Sequence, residues 1–358
     1  MTAHRRTTRR LSTVAVVALA LLLVAVPAAA DPAGPTHFRS TITGLVADAD
    51  DAPENEAPIA PDIEVQVLGG DAFLVVRAAP GTQVQVPGYE GEPYVRIAAD
   101  GTVEINTRSP ARWLNDERFG LPDSELPTQA DADAPPAWEV VARGGEYAWH
   151  DHRIHWMSPS LPPSVDPGRN EVQQVSEWSV PMVVDDAQIL LVGELDWLPG
   201  PSPVQPAGAL VLALAAGVWL GLRREQTLSA AIGIGAAVTG ALGVAASVGL
   251  PPGADVEPAL VVLPGLAVAV LGAARWWSGR DPAQAGWMVP AAALPLAVWG
   301  VVQAGALTRP IVPGPVPSEF VALAAALGFG IGAAAAMAIG RRILAATALD
   351  PDAPDERD

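Results

Sequence analysis

Residues 95–105 read Val-Arg-Ile-Ala-Ala-Asp-Gly-Thr-Val-Glu-Ile, with a short alternating segment on each side of Asp100-Gly101. An Asp-Gly pair tolerates the positive φ angles that a two-residue β-turn needs, so this stretch predicts an antiparallel hairpin. Comparable strand and turn patterns occupy 63–76, 84–86, 139–150 and 180–192, the last two around Gly144-Gly145 and Asp185-Asp186. Short strands, tight turns and no convincing helix predict an antiparallel sandwich or barrel, and we take a β-sandwich as the expected fold of this half.

Three segments between the predicted strands are rich in proline or in acidic residues. They span 47–61, 122–136 and 158–168, and we expect them to be loops or disordered connectors rather than ligand sites. The only helical structure that we expect among the strands is a single turn within 110–119.

The composition limits the classes of function that the chain can have. It has 358 residues, no cysteine and a formal net charge of -18. The lack of cysteine excludes disulfides, thiolate metal ligands and cysteine nucleophiles. The acidic residues are concentrated before residue 206, and such a negative field repels nucleic acid and attracts cations. We therefore expect no nucleic-acid partner.

From residue 207 onward the sequence consists of blocks rich in Ala, Leu, Val and Gly. Five of them have the length of helices that cross about 30 Å of hydrocarbon, which predicts a protein embedded in the lipid bilayer. No ionisable side chain lies well inside these blocks and Gln303 is the most polar one there, which disfavours ion-coupled transport. Gly328 and Gly332 predict close helix packing, within the chain or between chains. The blocks are 207–222, 228–249, 258–274, 286–306 and 318–340.

The N-terminus and the arginines predict the orientation of the chain. Residues 1–30 combine a basic start, an apolar stretch and an Ala-Ala-Ala site, typical of a signal peptide, with an uncleaved anchor helix as the alternative. Arginine pairs follow the first, third and fifth blocks, as expected for cytoplasmic ends. The predicted organisation is a signal peptide at 1–30, an extracytoplasmic β domain at 31–200, a linker at 201–206, five transmembrane helices at 207–342 and an acidic cytoplasmic tail at 343–358.

The densest group of chemically versatile side chains is at 147–157, Tyr-Ala-Trp-His-Asp-His-Arg-Ile-His-Trp-Met. In a regular strand His150 and His152 share one face and His155 takes the other. A bulge or a strand end within the stretch would bring the three imidazoles together, with Met157 as a fourth ligand. Imidazoles with a thioether suit copper, and imidazoles alone suit zinc. The other interpretations are a pH-responsive cluster and histidines that pack between tryptophans.

A second group lies at 88–96, Gly-Tyr-Glu-Gly-Glu-Pro-Tyr-Val-Arg. Its glycines and proline predict a shaped loop that leads into a strand. Tyr89, Tyr94 and Arg96 are candidate contacts for a polar ligand. The alternative is a turn that a tyrosine anchors.

Four motifs occur together along the chain: GYEGEPYVRI at 88–97, DGTVEINTRSP at 100–110, YAWHDHRIHWM at 147–157 and GELDWLP at 193–199. Together they resemble a family of uncharacterised envelope membrane proteins of the actinobacterial type, from high-GC Gram-positive bacteria. The likeness covers the β domain and the start of the membrane region. That family has no established activity, so the resemblance implies no catalytic residue. The resemblance also implies an association with copper-handling envelope proteins, which favours the metal interpretation.

The sequence therefore predicts a non-enzymatic integral membrane protein of the cell envelope, with an exported β domain that binds a ligand or a partner protein. An enzyme is the weaker interpretation because the chain lacks G-x-S-x-G, H-E-x-x-H and S-x-x-K motifs. The main alternative is metal handling, with copper as the possible cofactor, by His150, His152, His155 and Met157. Expected partners are the bilayer and either a second envelope protein or another copy of the chain.

Overall fold

The computed structural model describes residues 33–47, 62–116, 118–119 and 126–348. The predicted signal peptide, nearly all of the predicted loop at 47–61 and the part of the predicted tail after residue 348 lie outside these residues. The sequence divides at about residue 200 into a strand-forming half and a helix-forming half, as the change in composition predicts.

The described part of the first half forms ten β-strands and one short helix, α1, which spans Pro110–Leu114. Alternation of apolar and polar residues and glycine-containing turns set most of these strands. The strands are β1 Phe38–Ala47, β2 Ile63–Leu68, β3 Phe73–Ala78, β4 Val84–Pro87, β5 Pro93–Ile97, β6 Thr102–Asn106, β7 Trp138–Arg143, β8 Glu146–Trp149, β9 Gln173–Val184 and β10 Ala187–Trp197.

The strands form two antiparallel sheets that pack face to face. The larger sheet has the order β1-β10-β9-β4-β5-β6-β7, and the smaller has the order β2-β3-β8. Inward-facing side chains of both sheets make one apolar core, with Val95, Val103 and Leu191 on the large sheet opposite Leu74 and Val76 on the small one. The predicted β-sandwich is confirmed.

Two of the predicted hairpin turns are present in the structure and a third is not. Asp100-Gly101 joins β5 to β6 and Asp185-Asp186 joins β9 to β10, as predicted. The hairpin predicted around Gly144-Gly145 was wrong, because β7 pairs with β6 in the large sheet and β8 pairs with β3 in the small one. These two glycines instead carry the chain between the sheets, and both of their N–H groups donate to the carbonyl of Gly101 at 2.9 Å.

The described part of the second half contains five helical segments long and apolar enough to cross a membrane, so the chain is a multi-pass membrane protein. The fourth segment is interrupted at Ala292 and Ala293, between Pro290 and Pro295, because a proline removes a helical hydrogen bond. A 3₁₀ turn, Ala304–Leu307, follows it. The helices are α2 Val204–Gly221, α3 Glu225–Ser247, α4 Ala259–Ser278, α5 Pro282–Ala291 with α6 Leu294–Val302, and α7 Ser318–Ala348.

Small residues let α7 lie close to its neighbours. A side-chain carbon at Gly328 would stand 2.7 Å from the carbonyl oxygen of Leu296, and one at Gly332 would stand 2.9 Å from the methyl of Ala297. A carbon at Gly217 of α2 would stand 1.9 Å from the carbonyl oxygen of Gly330. The G-x-x-x-G pattern therefore serves packing within the chain, which in a bilayer depends on close van der Waals contact.

The β domain is seated on two loops at one end of the helical bundle, 248–258 and 303–317, which we call the seating loops. The N–H of Ala148 in β8 donates to the carbonyl of Pro252 at 2.8 Å, and Thr36 and Ile311 exchange N–H···O bonds of 2.9 and 3.2 Å. Gly253 has a φ of +90°, and a side chain there would collide with the carbonyl of Ala148. Glycine therefore allows the first seating loop to reach the edge of β8.

The opposite end of the bundle is basic. Arg342 forms an ion pair of 2.7 Å with Glu225, and Arg341 donates to the carbonyl of Gly221 at 3.2 Å. The end of α2, the start of α3 and the end of α7 therefore meet at this end. Successive spans alternate in direction, so this end collects Arg223, Arg224, Arg275, Arg280, Arg341 and Arg342.

Candidate functional site

The candidate site begins where β8 ends, at Trp149. The chain then turns back on itself around Asp151, which is completely buried. The carboxylate of Asp151 accepts hydrogen bonds from the indole of Trp149 at 2.9 Å, from the backbone N–H of Arg153 at 3.1 Å, and from the guanidinium of Arg153 at 2.7 and 2.8 Å. Burial alone would raise the pKa of Asp151, but Arg153 and these donors hold that pKa below its usual value. A buried, fully paired carboxylate therefore fixes the turn.

This turn breaks the strand periodicity and brings the three histidines into one neighbourhood. The ring centroid of His155 lies 5.2 Å from that of His152 and 6.4 Å from that of His150, and both pairs are edge-to-face. His150 and His155 are buried, whereas His152 is partly exposed. Met157, the fourth predicted ligand, is 36% exposed. Within the described ranges no three His, Asp or Glu side chains are already arranged to hold a metal ion.

One imidazole nitrogen of His155 is buried inside the domain without a hydrogen-bond partner among the described residues. Burial, together with the charge of Arg118 and the neighbouring imidazoles, lowers the pKa of His155 to about 3. The ring is therefore neutral at physiological pH. Its Nδ1 lies 3.3 Å from the carbonyl oxygen of Trp156, which can only accept, so Nδ1 carries the proton. Its Nε2 is then a buried lone pair, and no described residue donates to it.

An ion pair from elsewhere in the chain completes the surroundings of the histidines. Arg118 contacts the Oδ2 atom of Asp71, which is fully buried. Burial raises the pKa of Asp71, although Arg118 opposes that change. Two residues further on, the ring of Phe73 packs against His150 with centroids 4.4 Å apart. The sequence reasoning missed Asp71 and Arg118; the only available signal was an acidic residue directly after the Gly69-Gly70 turn.

The structure joins part of the second predicted group to the first. The hydroxyl of Tyr89 donates to Asn115 and accepts from the backbone N–H of His152 at 2.9 Å, and the Tyr89 ring stacks on the imidazole at 5.8 Å. Asn115 in turn donates to the hydroxyl of Tyr94 at 3.2 Å. Asn115 is a further residue that the sequence did not indicate.

Arg96, the third residue of that predicted group, is engaged elsewhere. Its guanidinium pairs with Glu104 at 2.6 Å and lies 4.1 Å from the ring centroid of Trp138. Both partners belong to the neighbouring strands β6 and β7. Of that predicted group, only Tyr89 and Tyr94 therefore lie beside the turn that carries His150, His152 and His155, which we call the histidine turn.

The site consists of the three imidazoles, two tyrosines and two buried ion pairs, next to the strand that touches the first seating loop. No known family model, curated protein or solved structure matches the chain.

We expect the neutral His155 to make the β domain less stable in mild acid. Its pKa of about 3 in the folded state lies below the value of 6.5 of an ordinary histidine, so between these values the unfolded chain binds the proton more strongly. Stability is therefore lost as the pH falls from about 6.5. Lowering the pH from 7 to 5 should cost about 2 kcal/mol.

Urea denaturation of the purified full chain in detergent, followed by tryptophan fluorescence in the presence of a chelator, measures this loss. In the variant His155→Gln the amide still donates to the carbonyl of Trp156 but does not titrate. Its stability should fall by about 2 kcal/mol less over the same pH interval. An equal fall in the variant and in the wild type would contradict the assignment.

Proposed function

We propose that the chain is a non-enzymatic multi-pass protein of the cell envelope whose β domain lies outside the cytoplasm. In this proposal the domain binds a ligand or a partner protein through the histidine turn and the tyrosines around it. The resemblance of its four motifs to actinobacterial-type envelope proteins is consistent with this assignment. The observation that carries the proposal is the opposite placement of the β domain and the arginines.

The distribution of charge along the helical bundle supports this orientation. The seating loops contact the β domain, and the six arginines of the helix ends lie at the far end of the bundle. Cytoplasmic loops of membrane proteins carry an excess of Arg and Lys. The β domain then lies outside, where an acidic, cysteine-free domain stays soluble without disulfides.

The buried polar groups of the site support a binding role. Buried ionisable groups with strongly shifted pKa values concentrate at functional sites. Here they lie beside the strand β8, whose Ala148 is hydrogen-bonded to the first seating loop. A ligand or partner that contacts the histidine turn is therefore close to the membrane part of the chain.

Cysteine labelling tests the orientation cleanly because the chain has no cysteine of its own. We expect Ser176→Cys in β9 to react with a membrane-impermeant maleimide in intact cells. Ser278→Cys at the basic end of α4 should react only after the cells are permeabilised. Both serines are exposed, so accessibility is matched. Ser202→Cys, just before α2, is the control for a position near the membrane and should behave like Ser176→Cys. The reverse labelling pattern would place the β domain in the cytoplasm and refute the proposal.

A second candidate function is metal handling in the envelope, with copper or zinc as the bound ion. The specific observation in its favour is the neutral His155, whose bare Nε2 faces no described donor while two other imidazoles approach its ring. Neutral imidazole is the form that ligates metals. The rings would have to turn on binding, since the described side chains do not already form a cage.

Titration of the purified full chain in detergent with Cu(I), Cu(II) and Zn(II) tests this second function. If it is correct, one ion binds per chain at micromolar concentration, and His155→Ala and His152→Ala each weaken binding at least about tenfold. His37→Ala is the matched control, because His37 lies at the membrane junction, bonded to Leu198 at 2.9 Å. Absence of binding at micromolar metal, or equal loss in the control, would remove this candidate.

A further inference from the structure

Two tryptophans at the basic end of the bundle each carry an arginine on the face of the ring. At the end of α2 the guanidinium carbon of Arg223 lies 4.1 Å from the ring centroid of Trp219. At the end of α4 the guanidinium carbon of Arg280 lies 3.8 Å from the ring centroid of Trp276. In both pairs the arginine follows the tryptophan by four residues, a spacing that lets the two side chains meet. The same arrangement, which we call the Trp–Arg pair, therefore occurs twice at this end.

The charge of the two stacked arginines is not balanced by a nearby carboxylate. Both arginines are exposed, and among the described residues of this end Arg342 alone forms an ion pair, with Glu225. The other described carboxylate here, that of Asp281, caps α5 by accepting from the N–H of Gln284 at 3.0 Å. Stacking on an aromatic ring leaves the N–H donors in the plane of a guanidinium able to bind a further group. The two stacked arginines can therefore receive an anion.

An exposed apolar stripe leads along α4 to its Trp–Arg pair. Val268 and Trp276 are 55% and 58% exposed, and no described part of the chain lies within 4 Å of a side-chain carbon placed at Gly272 between them. The spacing of four residues puts these three positions on one face of the helix, with Arg280 at its end. Tryptophan is enriched where a helix leaves the hydrocarbon for the headgroup region. A lipid chain can therefore lie along the stripe while its headgroup reaches the arginine.

We propose that the two Trp–Arg pairs bind the phosphate headgroups of anionic phospholipids in the leaflet at the basic end of the bundle. The N–H groups of a guanidinium form paired hydrogen bonds with phosphate oxygens. The tryptophan ring holds the guanidinium at the depth of the headgroups. A zwitterionic lipid carries a cation beside its phosphate, and the surrounding arginines repel that cation. The surface therefore selects lipids with a net negative charge.

Preorganisation distinguishes the stacked arginines from their neighbours. Arg280 is fixed by its ring and by a hydrogen bond of 2.9 Å to the carbonyl of Trp276. Arg224 and Arg275 are exposed neighbours of the two pairs, but neither lies over an aromatic ring of the described chain. A side chain that is already ordered loses less conformational freedom when it binds. Most of the affinity for the headgroup therefore comes from the stacked arginines.

Native mass spectrometry of the purified full chain tests the proposal. The chain in detergent is titrated with phosphatidylglycerol or with phosphatidylcholine that has the same acyl chains, and the retained lipids are counted. We expect one phosphatidylglycerol for each Trp–Arg pair, bound about tenfold more tightly than phosphatidylcholine. Water-soluble glycerol 3-phosphate, which has no acyl chain, should not displace the lipid at the same concentration.

Replacement of single residues separates the Trp–Arg pairs from general attraction by charge. Arg280→Gln and Arg223→Gln should each weaken the binding of phosphatidylglycerol about fivefold. Arg275→Gln and Arg224→Gln remove the same charge from neighbouring exposed positions and should weaken binding less than about twofold. Trp276→Leu retains the arginine but removes the ring beneath it, and should weaken binding about threefold. All five side chains are exposed, so the variants should fold like the wild type.

Equal retention of phosphatidylglycerol and phosphatidylcholine would overturn the proposal. Equal losses in the stacked and the neighbouring arginine variants would also overturn it, because that result is expected from diffuse attraction to a basic surface. Displacement by glycerol 3-phosphate would show that a free phosphate, and not a lipid, occupies the site. Both ends of the bundle are accessible in detergent, so these outcomes are independent of the proposed orientation of the β domain.

Discussion

The backbone hydrogen bonds between the β domain and the seating loops are the constraint on which the architecture depends. Ala148 bonds to Pro252, and Thr36 pairs with Ile311, so both a strand of the small sheet and the segment before β1 are attached to the bundle. Around these bonds, Phe73 and Val75 pack on Leu250 and Ala254 of the first seating loop. Edge groups of a sheet need partners, and here the membrane loops supply one. The β domain is therefore part of one unit with the helices.

The same attachment gives the histidine turn its position. His150 follows the seated strand β8 by one residue, and Asp151 fixes the turn by its pairing with Arg153 and Trp149. Replacing the carboxylate would leave the guanidinium without its partner in a largely buried setting, and such a loss is costly. The site thus combines a rigid frame with one partly exposed imidazole, His152.

The sequence predicted those features that depend on local patterns. Alternation and turn residues located nine of the ten strands, and apolar block length located all five spans. The sequence patterns did not indicate β1, whose pairing with β10 joins residues about 150 positions apart. The turn at Gly144-Gly145 was misassigned because either sheet could accept the strand that follows it. Strand partners are set by the packing of the whole domain, which no short window contains.

For the candidate site, the sequence likewise indicated individual residues but not the long-range contacts that bring them together. The histidines and tyrosines were visible as unusual residues, but their convergence depends on the buried pairing of Asp151 with Arg153. Asp71 and Arg118 reach the site from distant parts of the chain. Gln303 was visible as a polar residue in an apolar block, yet its unsatisfied oxygen became evident only from the packing around it.

A cross-link between the two halves tests the central claim, that the β domain is seated on the bundle, most directly. Thr36 and Ile311 form a hydrogen-bonded antiparallel pair, whose Cα atoms lie about 5.5 Å apart, within the range of a disulfide. In the cysteine-free chain, Thr36→Cys with Ile311→Cys should form a disulfide in nearly every molecule under mild oxidation. The pair Thr36→Cys with Pro317→Cys, further along the same loop, should stay largely reduced. Equal and low cross-linking of both pairs would show that the β domain is not held on the loops and would contradict the account.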